Sequence, residues 1–120
     1  ATLAGITCLM RGSVGDIVAA PGGTAAALDL LEDCRAVAER SGHAPGEKTL
    51  QRARSVLTET GSTLTASMLR DLQHGHPIEA DHVVGDMLAR ADRSRDAHSL
   101  LAVVYAHLKV YEAGRQSPAA

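Results

Sequence analysis

Aromatic side chains are nearly missing from this sequence, which contains no tryptophan or phenylalanine and has an aromatic content of 2%. Proteins that bind single-stranded nucleic acid stack the bases on aromatic rings, so this composition disfavours such a platform. It also disfavours a β-sandwich, whose strands depend on aromatic and β-branched residues. The net charge of -2 is small, so the chain lacks the electrostatic attraction that draws proteins to nucleic acid or anionic membranes.

Cysteine is also scarce. Cys8 and Cys34 are the only two, and they lie far apart in the sequence. Their number and spacing predict neither a disulfide framework nor a metal motif. Both lie in apolar helical context, which indicates reduced core cysteines in a cytoplasmic protein.

The sequence has no long apolar run. Its opening segment, Ala1–Met10, is apolar but too short to cross a bilayer. Arg11 follows this segment, whereas a signal peptide carries its positive charge before the apolar run. No helix-capping residue precedes the segment either, so we expect the chain to begin inside a helix and to be one part of a larger protein.

A helical hydrophobic period runs through most of the 120 residues, of which 45% are hydrophobic. This length suits one domain with a modest core. The candidate strand is Val14–Val18, but Ser13 and Asp16 have the spacing of a helix-capping pair, which favours a helical turn. The prediction is an all-α, bundle-like domain of about five or six helices over residues 1–113, followed by a disordered tail over 114–120.

Two amphipathic helices are predicted in the first half of the chain. The first begins at its N-cap, Thr24, and ends before Gly42. Its inward face is predicted to hold Leu28, Leu31, Cys34 and Val37 or Ala38. The second begins at Glu47 and is ended by Gly61. Its inward face is predicted to hold Leu50, Ala53 and Val56 or Leu57.

Three more helices are predicted in the second half. A short helix covers Ser67–Leu72 and is closed by Gly75, and another begins at Glu79. The inward face of that second helix is predicted to be Val83, Val84, Met87, Leu88 and Ala91. A polar turn at Asp92–Asp96 leads to the last helix, which we expect to be buried on two sides. Its two apolar faces are predicted to be Leu101, Val104, Leu108 and Tyr111, and Leu100 and Val103.

Side chains capable of chemistry are concentrated in residues 67–82, a stretch rich in Ser, His, Asp and Glu. One interpretation is a metal site formed by His74, His76, Glu79 and His82, since Glu-x-x-His is one element of carboxylate-bridged di-metal sites. Such sites need a second pair of this kind, and the sequence has none. The alternative is a polar helix start, where negative charge is favoured by the helix dipole.

Two further interpretations are weaker. In the first, Ser67 is a nucleophile and His74 or His98 is its base. The sequence around Ser67 lacks the strained turn that holds the nucleophile in hydrolases. The residues Gly22-Gly23-Thr24 at a helix start suggest a phosphate site, but no glycine-rich phosphate motif surrounds them. A simple helix cap explains these residues better.

The pattern Ser67-Met68-x-x-Asp71, then Gly75, Glu79-x-Asp81 and Gly85, resembles the signature of the C-terminal domain of ketopantoate reductases (2-dehydropantoate 2-reductases). In the family, the last helix ends near a Lys-Glu pair. Lys109 and Glu112 resemble that pair in this sequence. The likeness runs over nearly all of the chain, and its middle motif is the most specific part.

This resemblance implies a helical domain similar to the C-terminal domain of 6-phosphogluconate dehydrogenases. Such a domain covers a cleft formed with an N-terminal Rossmann domain that holds NADPH, and the chain contains no such domain. The implied reaction is hydride transfer to the ketone of 2-dehydropantoate, a small 2-oxo acid. A homodimer is also implied, and neither a nucleic acid nor a membrane is an expected partner.

Residue roles carry over from the resemblance by position. Ser67 and Glu79 match the family's substrate-contacting serine and glutamate, while Asp71 and Asp81 are interpreted as supporting residues that cap or bond to neighbouring backbone. The family's catalytic lysine is expected upstream of Ala1, so no catalytic, cofactor-binding or metal-binding residue is predicted in this chain. Ala4 and Val84 stand where the family commonly has Asn, which leaves the identity of the 2-oxo acid open.

The competing hypothesis is a helical interaction or dimerisation module without catalysis. A helical domain that has lost its partner exposes apolar surface and tends to self-associate. A metal-binding helical domain is the third hypothesis.

Overall fold

The computed structural model describes residues 2–89 and 99–116, and the secondary-structure elements in these ranges are all helices. The α-helices are α1 (Thr2–Met10), α2 (Val14–Ala19), α3 (Gly23–Arg40), α4 (Glu47–Leu57), α5 (Ser67–Gln73), α6 (Asp86–Ala89) and α7 (Leu100–Gln116). A π-helical turn, Asp81–Gly85, leads directly into α6. These two ranges contain no β-strand, so the all-α prediction is confirmed.

Helix α1 lies at the centre of the molecule and contacts α2, α3, α5 and α7. Its residues 5–8 are buried one after another, which requires neighbours on all sides of the helix. A Cβ atom at Gly5 would lie 3.0 Å from Leu30 and 3.2 Å from Val104, so the glycine lets α3 and α7 approach closely. The buried Thr7 hydroxyl donates to the Leu3 carbonyl oxygen at 2.8 Å, so its burial leaves no donor unsatisfied.

The turn at Val14–Val18 is helical, as the capping pair predicts. The Ser13 hydroxyl accepts a hydrogen bond from the Asp16 amide, and the Asp16 carboxylate accepts one from the Ser13 amide. The amides of Val14 and Gly15 donate to the carbonyl oxygens of Leu64 and Ser62. The loop that contains Ser62 and Leu64 therefore accepts from two backbone N–H groups at the start of α2, which have no partner within that helix.

The inward face of α3 matches the prediction at Cys34 and Val37 and differs in the first half of the helix. Ala27, Leu30, Cys34 and Val37 are buried, whereas Leu28 and Leu31 are only half-buried. The N-cap is Gly22, in the left-handed region at φ +80°, and not Thr24. Gly23 sets the rotation of the helix, because a Cβ atom there would lie 1.7 Å from the Ile17 carbonyl oxygen. With that residue against α2, the residues four, seven, eleven and fourteen positions later face the core.

Helix α4 begins at Glu47 as predicted but ends at Leu57, before Gly61. Leu50 and Leu57 are buried, whereas Val56 is 38% exposed and so does not share the inward face. Helix α5 covers Ser67–Gln73 and is followed by Gly75 at φ +72°, in agreement with the predicted stop.

In the helix predicted from Glu79, Val84 is fully buried and Val83, Met87 and Leu88 pack against the core. Ala91 and the predicted turn at Asp92–Asp96 lie outside the described residues.

Helix α7 confirms the stripe of Leu101, Val104 and Leu108, all of them buried, and Tyr111 packs against the core. Val103 is 50% exposed, so burial on a second side is wrong at that position. The helix continues to Gln116, three residues beyond the predicted boundary, and its start is capped from α3, where Asp33 Oδ2 accepts from the Leu101 amide at 3.0 Å. Residues 117–120 of the predicted tail lie outside the described residues.

Both cysteines are buried and free, as predicted. Burial raises the pKa of the Cys8 thiol to about 11 and raises that of Cys34 as well, so both remain protonated near neutral pH. None of the helices in the two described ranges has the length and apolarity needed to cross a membrane.

Candidate functional site

A cavity of about 220 Å³ opens between α1, α5 and the chain that leads into the π-helical turn. It is lined by Ala4, Ala66, Ser67, Met68, Asp71, Pro77, Ile78, Glu79 and Val83. Ser67 is the first residue of α5, and Asp71 lies four positions later on the same helix face. The cavity therefore brings together three polar residues that the sequence singles out, Ser67, Asp71 and Glu79.

Glu79 reaches this cavity from the segment Gly75–Asp81, which we call the Glu79 segment. Burial alternates along it: Ile78 and Ala80 are buried, whereas Glu79 between them is exposed. Anchoring Ile78 and Ala80 in the core therefore directs Glu79 outward, and the side chain keeps 74% of its surface exposed.

The start of the Glu79 segment is bonded to the helices on either side of it. The amides of Gly75 and His76 donate to the carbonyl oxygens of Leu72 and Asp71 at the end of α5. From α7, the Arg115 Nε donates to the Gly75 carbonyl oxygen at 2.7 Å. The Tyr111 hydroxyl donates to the His76 carbonyl oxygen at 2.6 Å. Two successive carbonyl oxygens are thus held by α7 side chains.

The end of the segment is held through Asp81. Its carboxylate accepts from the Tyr105 hydroxyl at 2.6 Å and from Lys109 Nζ at 3.1 Å. Lys109 Nζ also lies 3.1 Å from Glu112 Oε1. The Tyr105 hydrogen bond, followed by that of Lys109, lowers the pKa of Asp81, and the same contact with Asp81 raises the pKa values of Tyr105 and Lys109. Asp81 was expected to bond to neighbouring backbone; the structure instead pairs it with side chains of α7.

The candidate metal ligands divide into separate pairs. His82 Nε2 lies 3.7 Å from Glu79 Oε2, whereas His74 and His76 face each other with ring centroids 5.7 Å apart. His76 Nδ1 is also 3.7 Å from Asp71 Oδ1. Over residues 2–89 and 99–116, no group of three or more His, Cys, Asp or Glu side chains is close enough to hold a metal ion. The geometry thus gives the metal hypothesis no support.

The two positions where the resembling family has Asn lie in different surroundings. Ala4 lines the cavity, so a methyl group faces its interior where an amide would bond. Val84 is fully buried and belongs to the hydrophobic core. Only Ala4 therefore bears directly on what this cavity can bind.

Within the Gly22-Gly23-Thr24 segment, the two glycines border a second cavity of about 400 Å³, together with Arg11 and Asp16. The Gly23 amide already donates to the Ala20 carbonyl oxygen at 3.0 Å. That bond removes a donor which a phosphate would need. The segment serves as a helix cap, with Gly22 in the capping position.

Sequence reasoning missed the contacts that α7 makes with the Glu79 segment. Tyr105, Lys109 and Glu112 recur at helical spacing, and Tyr111 and Arg115 are four residues apart, so each set shares a helix face. That spacing was a usable signal for polar faces. It could not show the partners, which lie 24 to 40 residues earlier in the chain.

Comparisons with known proteins agree with this architecture. A family model described as "Ketopantoate reductase PanE/ApbA C terminal" matches residues 1–112. A protein of Bacillus subtilis (strain 168) named "Uncharacterized oxidoreductase YkpB" is 33% identical over 114 residues, which make up 94% of this chain and 37% of that protein.

Two solved structures share the fold. A dimeric ketopantoate reductase from Staphylococcus aureus superposes with a TM-score of 0.79 at 24% identity, covering 95% of this chain and 40% of that one. A 2-dehydropantoate 2-reductase from Methylococcus capsulatus gives a TM-score of 0.76 at 24% identity, covering 98% and 40%. The chain thus spans about two fifths of the length of the relatives it matches.

Proposed function

The chain belongs to the ketopantoate reductase family as its C-terminal domain, and on that premise we propose that it binds substrate and closes the cleft of an NADPH-dependent 2-oxo-acid reductase. The observation that carries this proposal is the shared cavity of Ser67 and Glu79, which come from separate elements. A serine hydroxyl donates to a substrate carboxylate, and a glutamate carboxylate accepts from a substrate hydroxyl. The pair suits a small, hydroxylated, anionic substrate such as 2-dehydropantoate.

The size of the cavity supports a shared site. Its volume of about 220 Å³ is below the roughly 300–1,000 Å³ of ordinary ligand pockets. A second domain placed over the opening would supply the remaining wall. We propose that this second domain is a Rossmann domain that holds NADPH, because the described residues contain no strand on which a dinucleotide-binding glycine loop could be built.

The proton donor for the ketone oxygen is also proposed to lie upstream of Ala1. The sequence has two lysines, Lys48 and Lys109, and neither lines the cavity. Lys109 is held by Asp81 and Glu112, and Lys48 lies on α4. We therefore expect no turnover of NADPH and 2-dehydropantoate by the 120-residue chain alone. Turnover by the chain alone would contradict this part of the proposal.

The test of the substrate site uses the longer protein that contains this chain together with a dinucleotide-binding domain. NADPH consumption is followed with 2-dehydropantoate and a panel of other 2-oxo acids. Ser67→Ala removes a hydrogen bond to the charged substrate carboxylate, and Glu79→Gln replaces a charged acceptor with a weaker, neutral one. For each variant, kcat/KM is expected to fall about 10- to 100-fold. Ser55→Ala and Glu59→Gln change exposed residues away from the cavity and serve as matched controls. Equal effects of the site and control variants would refute the site.

A homodimer is the second part of the proposal, and a specific observation favours it. Val103 and Val110 on α7 are 50% and 73% exposed and lie seven residues apart, so they share one side of the helix. We propose that this face contacts a second copy of the protein. Val103→Asp and Val110→Asp should shift the sedimentation of the protein toward the monomer, whereas Thr49→Asp on α4 should not.

The buried free cysteines fit a reducing compartment, so we propose that the protein lies in the cytoplasm.

A further inference from the structure

We propose that helix α7 acts as a positioning element for Glu79, with Tyr111 and Arg115 fixing one end of the Glu79 segment and Tyr105 and Lys109 fixing the other. The inference rests on the proposed function, because it gives a catalytic purpose to the placement of Glu79. None of the four α7 side chains lines the cavity. They are therefore positioning residues, which act through the backbone of the segment.

The first end is a turn whose carbonyl oxygens would otherwise face water. Gly75 takes a positive φ of +72°, which directs the chain away from α5 toward the cavity. Arg115 Nε and the Tyr111 hydroxyl bind the carbonyl oxygens of Gly75 and His76, both within 2.7 Å. Two successive peptide groups held from one helix leave little freedom in the direction of the following chain.

The second end is fixed two residues after Glu79. Both carboxylate oxygens of Asp81 are bound, one by Tyr105 and the other by Lys109. The π-helical turn that begins at this residue is a rare conformation and is frequent at functional sites. Since the Asp81 side chain is 62% exposed, its ion pair with Lys109 adds little to global stability. Its main effect is to set the position of the turn.

Between the two ends, buried Ile78 and Ala80 secure the middle of the segment. Because the backbone is fixed on both sides of Glu79, only the side-chain rotamer of this residue can vary. A carboxylate that must meet a substrate hydroxyl within hydrogen-bonding distance benefits from such support, since small misplacements of site residues lower the rate strongly.

The first experiment measures hydrogen exchange in the 120-residue chain and needs no substrate. Tyr111→Phe and Arg115→Gln are expected to raise exchange of the Gly75 and His76 amides, which donate to carbonyl oxygens of α5, on the order of tenfold, while amides of α3 keep their protection. Arg115→Lys, which keeps a charged donor, should restore part of the protection. Arg52→Gln, which changes an exposed residue of α4, is the matched control. Unchanged exchange of the Gly75 and His76 amides, or an equal rise in the control, would overturn the proposal.

The second experiment links the segment to Glu79 in the longer, two-domain protein. Tyr111→Phe is expected to raise KM several-fold, and the double variant Tyr111→Phe/Glu79→Gln should be no worse than Glu79→Gln alone. Additive losses would show that Tyr111 acts independently of Glu79 and would overturn the positioning role. An unaltered reaction in Glu79→Gln would overturn the proposed function instead, and hydrogen exchange would still decide whether α7 fixes the segment.

Discussion

At Gly23 the backbone of a neighbouring helix leaves no space for a side chain. A Cβ atom there would lie 1.7 Å from the backbone oxygen of Ile17, a contact that no rotamer change can relieve. We expect Gly23→Ala to lower the free energy of unfolding by about 3 kcal/mol or more, because α2 and α3 must move apart. Urea denaturation followed by circular dichroism measures the change.

Gly114 provides the control for that substitution. It lies in α7 with nothing within 4 Å of a Cβ atom. Gly114→Ala should raise the free energy of unfolding by about 0.5–1 kcal/mol, because alanine is the better helix former. Similar effects of the two substitutions would show that the contact with Ile17 does not set the α3 position.

The Asp81 carboxyl group is expected to titrate below its ordinary range, chiefly because the Tyr105 hydroxyl donates to it and also because of Lys109. A lowered folded pKa means that the stabilisation is present above the unfolded pKa of about 3.9 and is lost as pH falls through the folded pKa. Tyr105→Phe should raise the pKa of Asp81 toward its ordinary value, as followed by carbon-13 NMR of the carboxyl group. Tyr111→Phe removes a hydroxyl from the same helix and should leave this pKa in place. If Tyr105→Phe leaves the pKa of Asp81 unchanged, the hydrogen bond from Tyr105 to Asp81 does not lower that pKa.

At the scale of elements, α3 supplies one of the two side-chain acceptors at the start of α7. Asp33 accepts from the Leu101 amide across 68 residues of sequence. Asp33→Ala leaves the Leu101 amide without its side-chain acceptor, while Ser99 Oγ still accepts from the Ala102 amide at 3.1 Å. The substitution should lower the free energy of unfolding by about 1 kcal/mol. Asp29→Ala, one turn earlier on an exposed part of α3, should change it by less than about 0.5 kcal/mol. Thermal denaturation of both variants measures the difference, and equal effects would argue against the cap.

The same helices show how far local sequence patterns reach. The helical period and the Ser13–Asp16 pair correctly predicted where helices form, because these signals act within one or two turns. The inward face of α3 was predicted correctly at Cys34 and Val37 but one position away in the first half of the helix, since Leu28 and Leu31 fit the period as well as Ala27 and Leu30 do. Contact of Gly23 with Ile17 decides between the two, and such a contact is not visible in a hydrophobic pattern.

For the candidate site, the motif predicted Ser67, Asp71 and Glu79, and the structure places all three around one cavity. Their proposed roles stay predictions. The partners of Asp81 were not predictable, because they lie on α7 and depend on how that helix packs across the π-helical turn. Long-range pairs of this kind are set by tertiary packing, whereas local propensity determines only which faces are polar.

At the scale of the whole molecule, one core joins α1, α3, α5 and α7. Leu108 is fully buried in it, whereas Val110, two residues later on the same helix, is largely exposed. Leu108→Ala should lower the free energy of unfolding by about 2–5 kcal/mol through the cavity it leaves, and Val110→Ala by about 0.5 kcal/mol or less. Urea midpoints at an unchanged m value are the measurement, and a small loss for Leu108→Ala would show that α7 is not part of the cooperative unit.

The central position of α1 has a consequence for how the chain is made. Synthesis proceeds from the amino terminus, so α1 is made before the other described helices and α7, which contacts it, is made after them. Until residues 100–116 leave the ribosome, the apolar surface of α1 lacks one of its walls. Contacts between such distant segments slow folding and leave apolar surface open to aggregation in the meantime. The nascent chain therefore depends on its last helix for protection, and a stall in translation before that helix would leave an aggregation-prone intermediate.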